Sequence, residues 1–367
     1  MFSFSRLRMI IAGLAAVLVL LSVSSCQTVS YYSQAVSGQF QLWRAAKPID
    51  EVIDDKQTSP ALRQRLELVT EITTYATKDL ALPDNGSYRR YADLGRPYVL
   101  WNVFAAPEFS LEPVTWCFPI AGCVGYRGYF SEKGAQQFAS GLREKKLDVY
   151  VGGVPAYSTL GWFDDAVLNT FINYSDADLA RLIFHELAHQ VAYAPGDTTF
   201  NESFATTVEL EGARRWLVAS GRSDQISQLD TELQRQQQFV DLVMRTRESL
   251  ETIYQSGAAA DEMLRRKVDA YAQLRSDYQA LKQQWGGYSG YDRWFSQQLN
   301  NAKLASVAAY NQLVPDFQRL LAKNDNDLEA FYQAVIALTK LSPEERQGRL
   351  AGGDVACHLC APAGKRG

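Results

Sequence analysis

The sequence lacks several features that would each indicate a definite class of protein. Lysine and arginine (37) do not outnumber aspartate and glutamate (41), and the net charge of −4 gives no sign of a nucleic-acid partner. No internal repeat is evident. The early apolar run from Met9 to Leu21 is too short to span a bilayer comfortably, which argues against a stable transmembrane helix. The composition that remains, 47% apolar and 12% aromatic, can build a sizeable core.

The first residues have the pattern of an export signal. Two arginines precede the apolar run, and small residues follow it as far as Cys26. Val23-Ser24-Ser25-Cys26 resembles a bacterial lipobox, which implies cleavage before Cys26 and lipid attachment to its thiol and new amino terminus. Gln27, where an aspartate would retain the protein, implies sorting to the outer membrane, facing the periplasm. The alternative is an ordinary signal peptide followed by a free cysteine.

Cysteine is scarce, and four of the five cysteines form two close pairs. An even number of closely spaced cysteines in an exported chain is typical of disulfides, so we expect Cys117 to pair with Cys123. The same argument pairs Cys357 with Cys360. The alternative for this second pair is a small metal knuckle that includes His358.

Histidine is rarer still, and two of the three histidines stand in His185-Glu186-Leu187-Ala188-His189. This is the HExxH pattern of zinc peptidases. Histidines four residues apart lie on one face of a helix, so both can bind a single zinc ion. Glu186 directly follows the first, where a carboxylate can act as general base on a zinc-bound water. The alternative is a helix with two surface histidines.

A catalytic zinc ion takes three protein ligands and keeps one position open. Asn201-Glu202-Ser203-Phe204-Ala205 resembles the Asn-Glu-Gly-Phe-Ala stretch of the alanyl-type zinc aminopeptidases, which implies Glu202 as the third ligand. The interval after His189 is shorter here than in those enzymes. Glu209, two helical turns further along a similar face, is the alternative ligand. Thr206 is a candidate partner for a ligand imidazole.

The oxyanion formed during peptide hydrolysis needs a donor besides the metal. Tyr157 is the first candidate, because it follows a predicted strand and precedes the metal-binding helix. The alternative for Tyr157 is an ordinary core tyrosine. Tyr288, Tyr291 and Arg127 are further candidates.

The hydrophobic pattern predicts mostly helices, with a small sheet before the motif. Helices are expected over about 26–47, 60–80, 135–147, 177–192, 201–220, 291–302, 303–322 and 325–340, and strands over 98–104, 126–130 and 147–151. A polar, glutamine-rich stretch broken at Ser256-Gly257 predicts a long antiparallel helical hairpin over 224–255 and 258–285. We therefore predict an α+β fold, predominantly helical, with a zincin-like metallopeptidase core. Its parts are a signal peptide (1–25), a catalytic region (26–222), a helical region (223–345) and a flexible tail (346–367).

Several blocks of sequence together resemble one family. They are Trp116 to Cys123, Tyr126 to Phe130, Ala156 to Phe163, Phe184 to Gln190 and Phe200 to Ala205. As a set they resemble the predicted aminopeptidase family of proteobacterial lipoproteins, over about residues 26–345. The resemblance implies a zinc site in an exported, membrane-anchored enzyme.

Three functions fit these patterns. The first is a zinc-dependent aminopeptidase of the periplasm that acts on short peptides. The second is an endopeptidase that cleaves a specific envelope protein, which is favoured by the lack of a Gly-x-Met-Glu-Asn type element for binding a free amine. The third is a catalytically silent scaffold that binds through the helical hairpin. The intact HExxH and Asn-Glu pair favours an enzyme whose partners are a peptide or protein substrate and, through Cys26, the membrane.

Overall fold

The computed structural model describes residues 29–118 and 122–352. The predicted export signal, Cys26 and the Cys357–Cys360 pair lie outside these residues. The chain divides into two units, one ending at Ala46 and the other beginning at Lys47. In the first unit, residues 29–45 form a helix, α1, as the sequence predicts. Among the described residues, none of the helices combines enough length with enough apolar character to cross a bilayer.

The second unit is predominantly helical, with a few short sheets. Its helices are α2 (Ile49–Asp54), α3 (Pro60–Asp79), α4 (Glu132–Arg143), α5 (Asp176–Val191), α6 (Thr198–Ala219), α7 (Ile226–Gln255), α8 (Ala260–Gln284), α9 (Asp292–Ser296), α10 (Asn301–Asn311), α11 (Val314–Lys323), α12 (Leu328–Thr339) and α13 (Pro343–Gly352). Its strands are β1 (Lys47–Pro48), β2 (Arg90–Ala92), β3 (Leu100–Ala106), β4 (Trp116–Phe118), β5 (Gly122–Val124), β6 (Arg127–Tyr129), β7 (Asp148–Val154) and β8 (Val167–Leu168). The predicted α+β class is confirmed.

The main sheet has β3 at its centre. All seven residues of β3 are buried, and the strand pairs antiparallel with β6 on one side and β7 on the other. Helix α4 packs against β3 and β7. A second sheet has the order β1-β2-β8, and β4 and β5 form a separate hairpin in which Cys117 and Cys123 are joined by a disulfide.

The helix that carries the HExxH motif and the helix that follows it both start at a side-chain N-cap. The Ser175 hydroxyl accepts a hydrogen bond from the Asp178 N–H, and the Asp197 carboxylate accepts one from the Phe200 N–H. The N-cap of α5 is therefore Ser175. Because Asp197 caps α6, this helix begins at Thr198, three residues earlier than predicted.

The helical hairpin is present, with its break after Ser256 as predicted. Helices α7 and α8 share one hydrophobic cluster with α9 and the start of α10. Within it, the rings of Tyr278 and Phe295 stack with their centroids 3.9 Å apart.

One buried amide ties the hairpin to the loop after β3. The Asn301 Nδ2 donates to the carbonyl oxygens of Pro107, Glu108 and Ser110. Its Oδ1 accepts hydrogen bonds from the hydroxyls of Tyr254 on α7 and Tyr271 on α8. Each donor and acceptor of this fully buried side chain is thereby satisfied.

The last helices differ from the prediction. Residues 303–322, expected as one helix, belong to α10 and α11, and the break falls at residues 312–313. Pro315 lies in the first turn of α11, where its missing N–H costs nothing, but it could not occupy the interior of a continuous helix. Helix α13 extends to Gly352, so the first residues of the expected tail are helical.

The disulfide hairpin touches the turn between α5 and α6. A Cβ on Gly122 would lie 2.5 Å from the Gly196 nitrogen and 2.9 Å from the Pro195 carbonyl carbon. Gly122 also has a φ of +73°, which side chains rarely tolerate. Only glycine therefore fits at Gly122, and the hairpin lies backbone against backbone on this turn.

We predict that Gly122→Ala destabilises the protein more than Gly95→Ala. Both glycines have positive φ values, but a Cβ on Gly95 would meet nothing within 4 Å. Gly95→Ala, the control, should lower the free energy of unfolding by about 1–2 kcal/mol, because alanine disfavours the left-handed conformation. Overpacking against Gly196 should add about 1–3 kcal/mol at Gly122. Denaturant unfolding of both variants measures the difference, and equal losses would contradict the close contact.

Candidate metal centre

The HExxH motif lies on α5, and α6 packs alongside it. Gly212 of α6 lies against the ring of Phe184 on α5. A Cβ on Gly212 would lie 2.9 Å from a ring carbon of Phe184. Because α6 runs back along α5, residues near its start face the end of the motif, and residues two turns later face its beginning.

The turn between the two helices is closed by a side chain of α6. The Asn201 Oδ1 accepts a hydrogen bond from the Ala194 N–H at 2.7 Å, and the Asn201 Nδ2 donates to the Ala194 carbonyl at 2.9 Å. Asn201 is 2% exposed, so water competes little for these bonds. Because this amide fixes a tight turn, the short interval between His189 and Glu202 is long enough for α6 to run back along α5.

Three donor atoms converge between the helices. The Nε2 atoms of His185 and His189 lie 3.2 Å apart, and the Glu202 Oε2 lies 3.2 Å from the first and 3.6 Å from the second. A tetrahedral zinc ion with bonds of about 2.0–2.1 Å would hold its ligand atoms about 3.3 Å apart. The three side chains are between 9% and 12% exposed. The described residues thus provide a group that fits one metal ion.

Glu209 occupies a different position from that of a ligand. Its Oε2 accepts a hydrogen bond from the His185 Nδ1 at 2.8 Å, on the opposite side of the ring from the convergent Nε2. This bond favours the tautomer that leaves a lone pair on Nε2, which is the form that binds a metal. Glu209 thus orients His185, the role for which the sequence suggested Thr206.

Arg181 holds Glu209 in turn. It lies one turn before His185 on α5, and its Nη2 donates to the Glu209 Oε1 at 2.7 Å. The same nitrogen is 3.2 Å from the Gln236 Oε1 on α7. Burial opposes the charge on Arg181, but Glu209 and Asp178 outweigh it and raise its pKa above the usual value. A chain of polar contacts therefore connects the hairpin to His185.

The histidines and carboxylates of this site stabilise each other's charges. Burial disfavours the ionised form of Glu202, but His189 and the hydrogen bond from His185 outweigh burial and lower the pKa of Glu202 to about 2. Burial likewise disfavours protonated His185, and its bonds to Glu202 and Glu209 outweigh burial and raise its pKa well above the usual value. A metal ion would replace that proton with a larger positive charge beside the same carboxylates.

Glu186 lies beside the ligands on the same helix and is 8% exposed. Burial raises the pKa of Glu186 to about 7, against the opposing effect of the two histidines. A carboxylate with a pKa near neutrality can both accept and release a proton at neutral pH.

Two residues beside Glu186 were not found from the sequence. Tyr88 and Asp165 both interact electrostatically with Glu186, and the Tyr88 N–H donates to the Asp165 carbonyl at 2.6 Å. Tyr88 is almost fully buried and has a φ of +62°. Burial raises the pKa of Asp165 to about 6, and its carboxylate accepts bonds from the Thr159 N–H and from Gln190, the residue after His189. No sequence pattern marks one tyrosine and one aspartate from separate loops as neighbours.

The oxyanion candidates lie in different places. The Tyr157 ring contacts Phe130 edge-to-face, and burial, with the charge of Asp165, raises its pKa above the usual value. Tyr291 stacks on Phe239 in the hairpin cluster, and the Arg235 guanidinium lies over the Tyr288 ring. The Arg127 guanidinium lies over the rings of Tyr129 and Phe138.

Tyr193 is a further candidate that the sequence did not suggest. It lies two residues after the end of α5, and burial, together with the charge of Glu202, raises its pKa to about 12. Tyr193 thus interacts electrostatically with a residue of the convergent group. A phenol with this pKa keeps its proton at neutral pH and remains a hydrogen-bond donor.

Among known proteins, the chain is similar to one protein family. No curated protein and no solved structure matches the chain. A protein-family model described as "Putative aminopeptidase" matches residues 30–350, a span that includes the convergent histidines and glutamate as well as the helical hairpin. Since the match covers nearly all of the sequence, the chain belongs to this aminopeptidase family.

Proposed function

We propose that the protein is a zinc-dependent peptidase of the cell envelope, and that it acts as an aminopeptidase. The observation that carries the proposal is the convergence of the His185, His189 and Glu202 donor atoms beside Glu186. Two imidazoles and one carboxylate form the ligand set of many catalytic zinc sites, which keep a fourth position open. Family membership supports the peptidase activity independently of this geometry.

The mechanism assigns separate tasks to the side chains around the site. When bound, zinc would act as a Lewis acid that acidifies water, polarises the scissile carbonyl group and favours ionised Glu186. The Glu186 carboxylate accepts a proton from the attacking water and delivers it to the leaving amine. Glu209 holds the His185 ring through Nδ1, and Arg181 keeps Glu209 ionised and oriented.

The family description favours cleavage at a free amino terminus. The alternative is an endopeptidase that acts on one envelope protein, because the chain has no Gly-x-Met-Glu-Asn type amine-binding element. The proposed location rests on the predicted export signal and on the resemblance of residues 23–26 to a lipobox. We propose Tyr157 or Tyr193 as the oxyanion donor, because Tyr157 interacts with Asp165 and Tyr193 interacts with Glu202.

We predict that Glu186→Gln retains zinc and loses hydrolysis. Glutamine keeps the shape of the side chain but cannot accept the proton, so kcat should fall by about 10²–10⁴-fold. Metal content by atomic emission and turnover of a peptide mixture, measured on the same samples, test this. Glu211→Gln is the matched control, because Glu211 pairs with Arg215 on another part of α6. Undiminished turnover in the Glu186 variant would exclude Glu186 as the base.

Glu209→Gln should weaken zinc binding without removing a ligand. Loss of the carboxylate that holds a ligand histidine should raise the zinc Kd by about 10–100-fold. Chelator competition at fixed pH measures the Kd, again with Glu211→Gln as the control. An unchanged Kd would show that the bond to His185 is unimportant for the metal.

Blocking the substrate amine should separate the two kinds of peptidase. An aminopeptidase should hydrolyse unblocked peptides and lose nearly all activity on acetylated ones, since a desolvated ammonium group is bound in its site. The measurement compares kcat/KM for each peptide in free and acetylated form. Equal rates would indicate an endopeptidase. Zinc without turnover of either form would leave a narrow-specificity enzyme or a scaffold.

A further inference from the structure

Helix α1 exposes an unusual number of apolar side chains. They recur every three or four residues along the helix: Val29, Tyr32, Val36, Phe40 and Trp43, which are 66%, 40%, 69%, 54% and 39% exposed. A helix at a protein surface normally turns polar residues to the solvent. We call these five residues the α1 stripe.

The α1 stripe is narrow and continuous. At about 100° per residue, its five members fall within an arc of about 80°, and from Val29 to Trp43 the stripe is about 21 Å long. The buried residues Gly38 and Leu42 lie on the opposite face of the helix. The exposed apolar side chains are therefore a second face of α1, distinct from its buried face.

The charge within α1 has one sign. The sequence contains no aspartate or glutamate before Asp50, whereas Arg44 lies in the last turn of α1. Basic residues near an anionic bilayer each strengthen binding, and acidic residues would weaken it. Apart from Arg44, the remaining exposed positions of the helix are polar and uncharged: Ser30, Ser33, Ser37 and Gln41.

The type of residue also favours a lipid surface. Tyrosine and tryptophan, which the stripe contains beside aliphatic residues, are enriched where the hydrocarbon meets the headgroups. The helix begins three residues after Cys26, the predicted site of lipid attachment. A helix that starts so close to a lipid anchor is held at the membrane surface from its first turn.

We propose that α1 lies in the plane of an anionic membrane surface and inserts the α1 stripe at the boundary between headgroups and acyl chains. The helix would be a second membrane contact, in addition to the predicted lipid on Cys26. Interfacial helices of this kind bury their apolar face about 5–10 Å deep. The proposal does not depend on peptidase activity, since it concerns a unit of the chain that carries no residue of the metal centre.

The test uses the mature chain from Gln27 onward without its lipid, so that the helix alone can bind. Vesicles of phosphatidylethanolamine with and without phosphatidylglycerol are sedimented with the protein, and the partition coefficient is measured. We expect binding that increases with the anionic lipid. Val36→Ser combined with Phe40→Ser should lower the coefficient by about 10-fold or more.

The control is a second pair of exposed apolar residues four positions apart. Leu264→Ser with Val268→Ser on α8 removes side chains that are 42% and 59% exposed, and should change the partition coefficient by less than about twofold. Circular dichroism verifies that both double variants remain folded. A wild-type chain that stays in the supernatant, or equal losses in both variants, would overturn the proposal.

A second copy of the chain is the competing occupant of the stripe. Sedimentation velocity of the same samples without vesicles distinguishes it. A wild-type dimer that dissociates in the Val36/Phe40 variant, with no vesicle binding, would overturn the membrane proposal and assign the stripe to self-association. A monomer that binds vesicles only through the stripe supports the proposal.

Discussion

The hydrogen bonds between the Asn201 amide and the backbone of Ala194 hold the return of α6 along α5. This return decides what the HExxH motif can bind, because it brings Glu202 within 3.2 Å of His185 and 3.6 Å of His189. It also sets the position of Glu209, two turns later, on the outer nitrogen of His185. Without it, two histidines on one helix would lack a third donor. The disulfide hairpin lies against the same turn, through Gly122 and Gly196.

Charge compensation makes this arrangement tolerable in a largely buried position. Isolated buried carboxylates would be strongly disfavoured, but each one here faces a cationic or hydrogen-bonding partner. Glu202 faces the two histidines, and Glu209 lies between His185 and Arg181. Glu186 has the least compensation, which is why burial dominates and raises its pKa to about 7. The least stabilised carboxylate is thus the one that the proposed mechanism requires to exchange a proton.

Polar side-chain contacts link the helical hairpin to this centre. Gln236 of α7 contacts Arg181, and Asn301 joins both hairpin helices to the loop after β3. These contacts hold the hairpin next to the helix that carries the HExxH motif. The exposed apolar face of α1, by contrast, belongs to a separate unit. The chain therefore combines a polar, self-compensated centre with a helix whose exposed apolar face we propose as a membrane contact.

The sequence by itself determined the features that depend on local spacing. The four-residue interval between His185 and His189 places both on one helical face. The break at Ser256-Gly257 separates the two helices of the hairpin. Tertiary structure decided three other features. It selected the third donor, it placed Glu209 on the outer nitrogen of His185, and it grouped Tyr88 and Asp165 beside Glu186. The physical reason is that these contacts join residues from different helices and loops, and their distances depend on how the elements pack. The hydrophobic period of one segment carries no information about the polar side chains that another segment brings to it.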